Sequence, residues 1–349
     1  MDSKPRSTHI DGLRGLAVLL MVLVHAAATW EPSLTGGTVL LGVVVSAGGG
    51  LAAPLFVALL GWGLLQRRLT GAQRMYRASY LFGCQMLVNL SAPHLFEPWT
   101  PGVLSLMGLL VITETWWGRP WLRSPGSSLR AFGGAVAIVL VFTATFASWQ
   151  GPSNWYERTA TTSLGGWLNH LVLTGLYPLV PWIVFACLGI TVASLSEKHH
   201  RSRLFRYVSG FGLLISMFVL ADAWRKGQTW ALPIGEASLT FFPANPAFIV
   251  AALTGTALLW WVAERTAVVT VFADLGRVSL TVYVLHFLPM ALFHRVDELN
   301  QWSSAMSTTV VVGYTVAWIV LGTWLQRRMP HLTLEAMMRR REPPSIRER

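Results

Sequence analysis

Mostly apolar residues run along this chain in stretches of about 20, and short polar gaps separate them. Each stretch is long enough for a helix that crosses the hydrocarbon core of a bilayer. Ten are predicted, over residues 10–30, 46–66, 77–93, 101–117, 131–149, 176–195, 205–224, 247–264, 277–295 and 306–326. The gaps carry turn and breaker residues, such as Arg119-Pro120, Ser124-Pro125-Gly126 and Gly151-Pro152. The third and fourth stretches are short and are expected to pack as a tight hairpin.

Composition agrees with that pattern. Apolar residues make up 53% of the 349 and charged residues only 12%, too few to cover the surface of a soluble protein of this size. The net charge of +11 would fit a nucleic-acid binder if it lay on one face. Instead it lies in the gaps and in the C-terminal segment, so no nucleic acid is expected. Cys84 and Cys187, the only cysteines, sit in apolar stretches and build no disulfide framework or thiolate metal site.

The basic residues also orient the chain. With the N-terminus inside, 22 Lys and Arg fall in cytoplasmic segments, including Arg67, Arg68, Arg74 and Arg77, Lys198 to Arg206, and seven from Arg327 onward. Four fall outside: Arg158, Arg225, Lys226 and Arg295. The predicted fold is therefore an all-α polytopic membrane protein with ten transmembrane helices and both termini cytoplasmic. Residues 1–329 form one transmembrane domain, and residues 330–349 a basic cytoplasmic tail. Residues 1–28 also fit a signal peptide, but Asp11 and Arg14 place both charge signs beside the apolar run and favour a retained first span.

Ionisable residues inside a span are costly and mark functional sites. Arg14 and His25 are eleven positions apart, three helical turns plus about 20°, so they share a face with about 16 Å between them along the axis. Asp11 joins that stripe, three residues before Arg14. In the ninth stretch Ser279, Tyr283 and His286 share a face, with His286 about 13 Å in from Arg277. Each histidine is either an acid/base group or a packed residue bonded to a neighbour. Asn89, Asp222, Glu114, His94 and Glu97 are weaker candidates, and Gly48-Gly49-Gly50 before Pro54 marks either a kink or a close approach to a ligand.

The segment Asp11-Gly12-Leu13-Arg14-Gly15 with its apolar run resembles the opening of the transmembrane acyltransferase superfamily. The Arg14-to-His25 spacing is similar to the arginine–histidine pair of the acyltransferase-three family of integral-membrane sugar O-acyltransferases. Ala53-Pro54-Leu55-Phe56-Val57-Ala58-Leu59-Leu60-Gly61, Arg74 to Asn89 and Pro101-Gly102-Val103-Leu104 resemble bacterial relatives of heparan-alpha-glucosaminide N-acetyltransferase. Tyr177 to Trp182 and Gly276 to His286 do so as well. Ser105-Leu106 departs from that branch, in which Gln-Arg follows.

The resemblance implies transfer of an acetyl group from cytoplasmic acetyl-CoA to an amine or hydroxyl of a sugar or glycan acceptor at the outer face. His25 would be the general base, either directly or through an acetyl-histidine, and His286 would assist. Arg14, Arg67, Arg68, Arg74, Arg77 and Arg277 would hold the donor's phosphates, with Asp11, Ser279 and Tyr283 supporting the site. No metal is expected, since the thioester supplies the driving force. The expected surroundings are the lipid bilayer of a bacterial plasma membrane, and a homodimer is compatible with this reading. The rival is a transporter or exporter with Arg14, His25 and His286 as its substrate or proton-relay groups.

Overall fold

The computed structural model describes residues 7–32, 36–118 and 124–344. Six of the 22 basic residues counted as cytoplasmic, Lys4, Arg6, Arg119, Arg123, Arg347 and Arg349, lie outside the described residues.

The chain is helical almost throughout. Helices α1 (Thr8–Trp30), α2 (Val39–Gln66), α3 (Gly71–Ser91), α4 (Val103–Trp117) and α5 (Pro125–Thr145) come first. The short α6 (Trp155–Thr159) and α7 (Leu164–Asn169) precede α8 (Leu179–Ser194) and α9 (Lys198–Lys226). A two-residue parallel pair follows, β1 (Ala231–Leu232) and β2 (Leu239–Thr240), with Ala231 opposite Leu239. The remainder is α10 (Pro246–Ala263), α11 (Ala273–Arg277), α12 (Ser279–Leu285), α13 (Phe287–Asn300), α14 (Ser304–Arg328) and α15 (Leu334–Arg340).

All ten predicted stretches fall on helices, but not all ten are spans by length and apolarity. Among the described residues seven qualify, with α12 and α13 counted together, and an eighth if the bent pair Leu164–Thr174 and Leu179–Ser194, meeting at 52°, crosses as one. The difference lies in α3 and α4. At 15 residues α4 is about 22 Å long, short of the roughly 30 Å hydrocarbon core. Helix α3 carries Gln73, Arg74, Arg77, Gln85 and Asn89, too many polar side chains for an apolar span. The two run antiparallel: Gln85 accepts from the Leu104 amide, and Arg74 pairs with Glu114 at 3.4 Å. Large apolar side chains lie exposed along α5, α9 and α14, among them Ile138, Phe211, Phe218 and Val320, as a lipid-facing surface requires. The molecule is an all-α polytopic membrane protein.

Contacts group the chain into two compact units, one of Met1–Leu55 with Leu258–Arg340, the other of Phe56–Ala257 with Arg341–Arg349. In the first, α1 is enclosed by α11 to α14 and the turn Val268–Phe272. Glycines make that enclosure tight. A Cβ on Gly276 would run into the carbonyl oxygen of Asp11, and one on Gly15 into that of Phe272. Small residues let the two backbones touch, as in other membrane helix pairs. Gly48 and Gly49 lie against Leu20 and Val24 of α1, so the glycine run serves helix packing. Gly276→Val should therefore lower stability by about 1–3 kcal/mol through overpacking. Thermal unfolding in detergent checks this; an unchanged midpoint would mean that the helices part without cost.

In the second unit the α3–α4 hairpin packs with α8, which also packs against α5. Among the described residues of this unit Arg158 is buried, at 1% exposure, and bonded at every guanidinium nitrogen. Nε donates to the Pro152 carbonyl (2.8 Å), Nη1 to those of Thr174 (3.0 Å) and Gly175 (2.9 Å), and Nη2 to those of Gln150 (2.8 Å) and Gly151 (3.1 Å). All five guanidinium N–H groups are thus engaged. Burial draws the group down to about 10, still charged at neutral pH.

Candidate active site

The first unit brings together the two histidines that the sequence singles out. His25 lies on α1 and His286 at the junction of α12 with α13, and Nδ1 of His25 stands 3.0 Å from Nε2 of His286. Their rings are nearly parallel, at 3°, with centroids 5.2 Å apart. Phe287 packs on both, and the Tyr283 ring lies 6.4 Å from that of His25 and 5.9 Å from that of His286. Tyr314 donates its hydroxyl to the His286 carbonyl.

The hydrogen-bond chain assigns the tautomers. Nδ1 of His286 is 3.1 Å from the Val282 carbonyl, which can only accept, so Nδ1 carries the proton and Nε2 has the lone pair. Nδ1–H of His25 then donates to that lone pair. Nε2 of His25 is left as a basic nitrogen on a half-buried side chain, whereas His286 is fully buried. Two imidazoles in line, the inner one anchored on a carbonyl, can act chemically as an oriented base.

The charged end of the same face is also assembled. Asp11, buried, pairs with Arg14 at 3.6 Å and with Arg277 at 3.5 Å. Arg277 reaches Asp274 at 3.3 Å, and Arg327 reaches it at 2.7 Å. The Gly276 contact is what carries Arg277 to Asp11. Arg14 and Arg277 remain about a third exposed. Ser279 opens α12, about 10 Å along the helix from the paired imidazoles.

A family model of an acyltransferase domain, that of the acyltransferase-three family, matches residues 8–325. The chain belongs to that family. It is therefore a membrane acyltransferase. No curated protein matches the chain.

The other predicted residues of this acyltransferase have definite places. Of the six arginines, Arg14 and Arg277 lie in the first unit, and Arg67, Arg68, Arg74 and Arg77 in the second. Asn89 is buried and donates to the carbonyls of Pro98 and Thr100, so it holds the loop between α3 and α4 in which half-buried His94 and Glu97 lie. Asp222 pairs with Arg225 and Lys226 on its own helix.

Glu335 is a residue that reading the segment beyond 329 as a tail passes over. From α15 its carboxylate accepts from the Leu280 amide at 2.7 Å and the Thr281 hydroxyl at 2.6 Å, capping the N-terminus of the acyltransferase's α12. The Leu334 amide returns a bond to the Thr281 hydroxyl at 2.8 Å. Burial pushes this carboxyl above its ordinary 4.5 and outweighs the hydrogen bonds that act the other way. A raised folded value means the native state binds the proton more readily than the unfolded chain, so stability is greatest in acid and falls as pH rises from about 4.5 through the raised value. Glu335→Gln should flatten that decline; melting temperatures between pH 4.5 and 8 decide it, and an equal slope in both proteins would contradict it.

Proposed function

We propose that this acyltransferase moves an acetyl group from acetyl-CoA to a hydroxyl or amine of a sugar-type acceptor, with His25 as the general base. The observation that carries the reading is the oriented imidazole pair. As the acceptor attacks the thioester carbonyl, Nε2 of His25 takes its proton, a new C–O or C–N bond forms, and the C–S bond breaks. The proton on Nε2 then neutralises the departing thiolate. His286 positions His25 and supports the imidazolium through its lone pair; it is a positioning residue rather than the group that meets the acceptor. An amine acceptor would fit the resemblance to the heparan-type branch, and a hydroxyl that to the acyltransferase-three family.

The arginine end supports a donor laid along the same face. Arg14 lies about 16 Å from His25 along α1, so phosphates held there leave the donor's extended arm to reach the base. Charge-assisted contacts to phosphate are worth about 1.5–3 kcal/mol each, so Arg14→Gln should weaken acetyl-CoA binding roughly tenfold or more. An unchanged constant in a well-folded variant would leave Arg14 only its role beside Asp11.

The test of the function is direct. Purified protein is incubated with acetyl-labelled acetyl-CoA and a panel of sugars, amino sugars and glycans, and the labelled product is identified. Label in an acceptor supports the reading. No consumption of acetyl-CoA and no label in any acceptor would overturn acetyl-CoA as the donor.

A further inference from the structure

The arginines of the second unit already hold an anion. Glu342, just past α15, places Oε1 2.7 Å from Nε of Arg77 and Oε2 3.2 Å from Nη2, a two-pronged pair. The same Oε2 lies 3.1 Å from Nη1 of Arg67. Only 6% of the Glu342 side chain is exposed. Gln73 fixes the next residue by donating to the Pro343 carbonyl at 2.9 Å, and Gln73 is itself held by its reciprocal capping bonds with Thr70 at the start of α3. An ordinary surface ion pair has none of this support.

Two guanidinium groups closed on a carboxylate in this way have the arrangement they would make around a phosphate. Three arginines, Arg67, Arg74 and Arg77, meet two carboxylates here, Glu342 and Glu114, so the cluster keeps a net positive charge with the segment in place. We propose that Glu342 is an internal stand-in for a donor phosphate, and that the segment from residue 341 to 344 is an autoinhibitory strap which the phosphates of acetyl-CoA displace from Arg67 and Arg77. The proposal rests on the reading that these arginines serve the donor.

The strap is built to be displaced by a ligand rather than by pH. Burial acts to raise the Glu342 carboxyl, but Arg77 and Arg67 outweigh it and hold it below the ordinary range, so it stays ionised at neutral pH. A phosphate group brings more charge and more acceptor oxygens than one carboxylate and competes well for the same donors. Half of the Arg67 side chain is exposed, so an incoming anion can engage it while Glu342 is still bound to Arg77. Pro343 and Pro344 keep the strap extended and without helix hydrogen bonds to lose when it leaves.

The experiment is an acetyl-CoA titration of the full-length protein in detergent, comparing wild type, Glu342→Gln and Arg77→Gln with thermal midpoints recorded for each. The expected result is binding roughly tenfold tighter in Glu342→Gln and roughly tenfold weaker in Arg77→Gln. Glu342→Asp keeps the charge but shortens the reach; it should give a smaller gain and serves the same comparison if Glu342→Gln does not fold. If Arg77→Gln weakens binding and neither Glu342 variant tightens it, the strap is a structural latch and the autoinhibition is overturned, while the donor site stands. If Arg77→Gln leaves acetyl-CoA binding unchanged, the donor reading of this cluster fails and the strap proposal falls with it.

Discussion

Replacing His25 with asparagine is expected to lower turnover by about 10²–10⁴-fold while acetyl-CoA binding survives, the loss that follows removal of a positioned base. Asparagine is the sharper substitution because its amide keeps much of the polar shape and can still donate toward Nε2 of His286, yet it cannot take a proton. His286→Asn should cost less, because in the proposed step His286 supports His25, to which it is hydrogen-bonded, and does not itself take the acceptor's proton. It should also move the pH–rate profile, since the lone pair that steadies the His25 imidazolium is gone, and a merely structural role would leave that profile in place. Steady-state kinetics of the two variants separate the roles. Near-native turnover in His25→Asn would make His286 the leading base.

The second large effect is on stability. Arg158→Met should cost at least about 3 kcal/mol, because five carbonyls lose their donor at once and a buried acceptor left unpaired costs about 1–3 kcal/mol. Arg158→Lys should rescue little, since an ammonium presents three N–H groups from one point and cannot reach carbonyls on two chain segments. Thermal unfolding in detergent is the measurement. A midpoint within a degree of wild type in Arg158→Met would mean that water replaces the guanidinium freely.

What could be read from the chain follows from which interactions are local. Apolar stretches are a property of each segment, so every helix expected from 10–30 to 306–326 is present. The face shared by Asp11, Arg14 and His25 is likewise set by helical period alone. That His25 meets His286 depends on packing of segments about 260 residues apart, and spacing supplied only their separate depths. The charges of α3 gave no sign that they are met by α4 and by Glu342 rather than by solvent. Glu335 and Glu342 were hidden by the basic composition around them: a segment rich in arginine reads as a solvated tail, although two of its carboxylates are bound to Thr281 and Arg77. Arg158 is hidden for a different reason: its partners are carbonyls, and no side-chain pattern records them.

The proposed transfer runs from a donor at the Arg14 end to an acceptor on the other side of the bilayer. It is tested by sealing the purified protein into vesicles, sorting them for one orientation, and supplying acetyl-labelled acetyl-CoA only on the side of the Arg14 end. An impermeant sugar acceptor is supplied only on the opposite side. Wild type should yield labelled acceptor and His25→Asn none. Labelled product formed only when donor and acceptor share one side would contradict it.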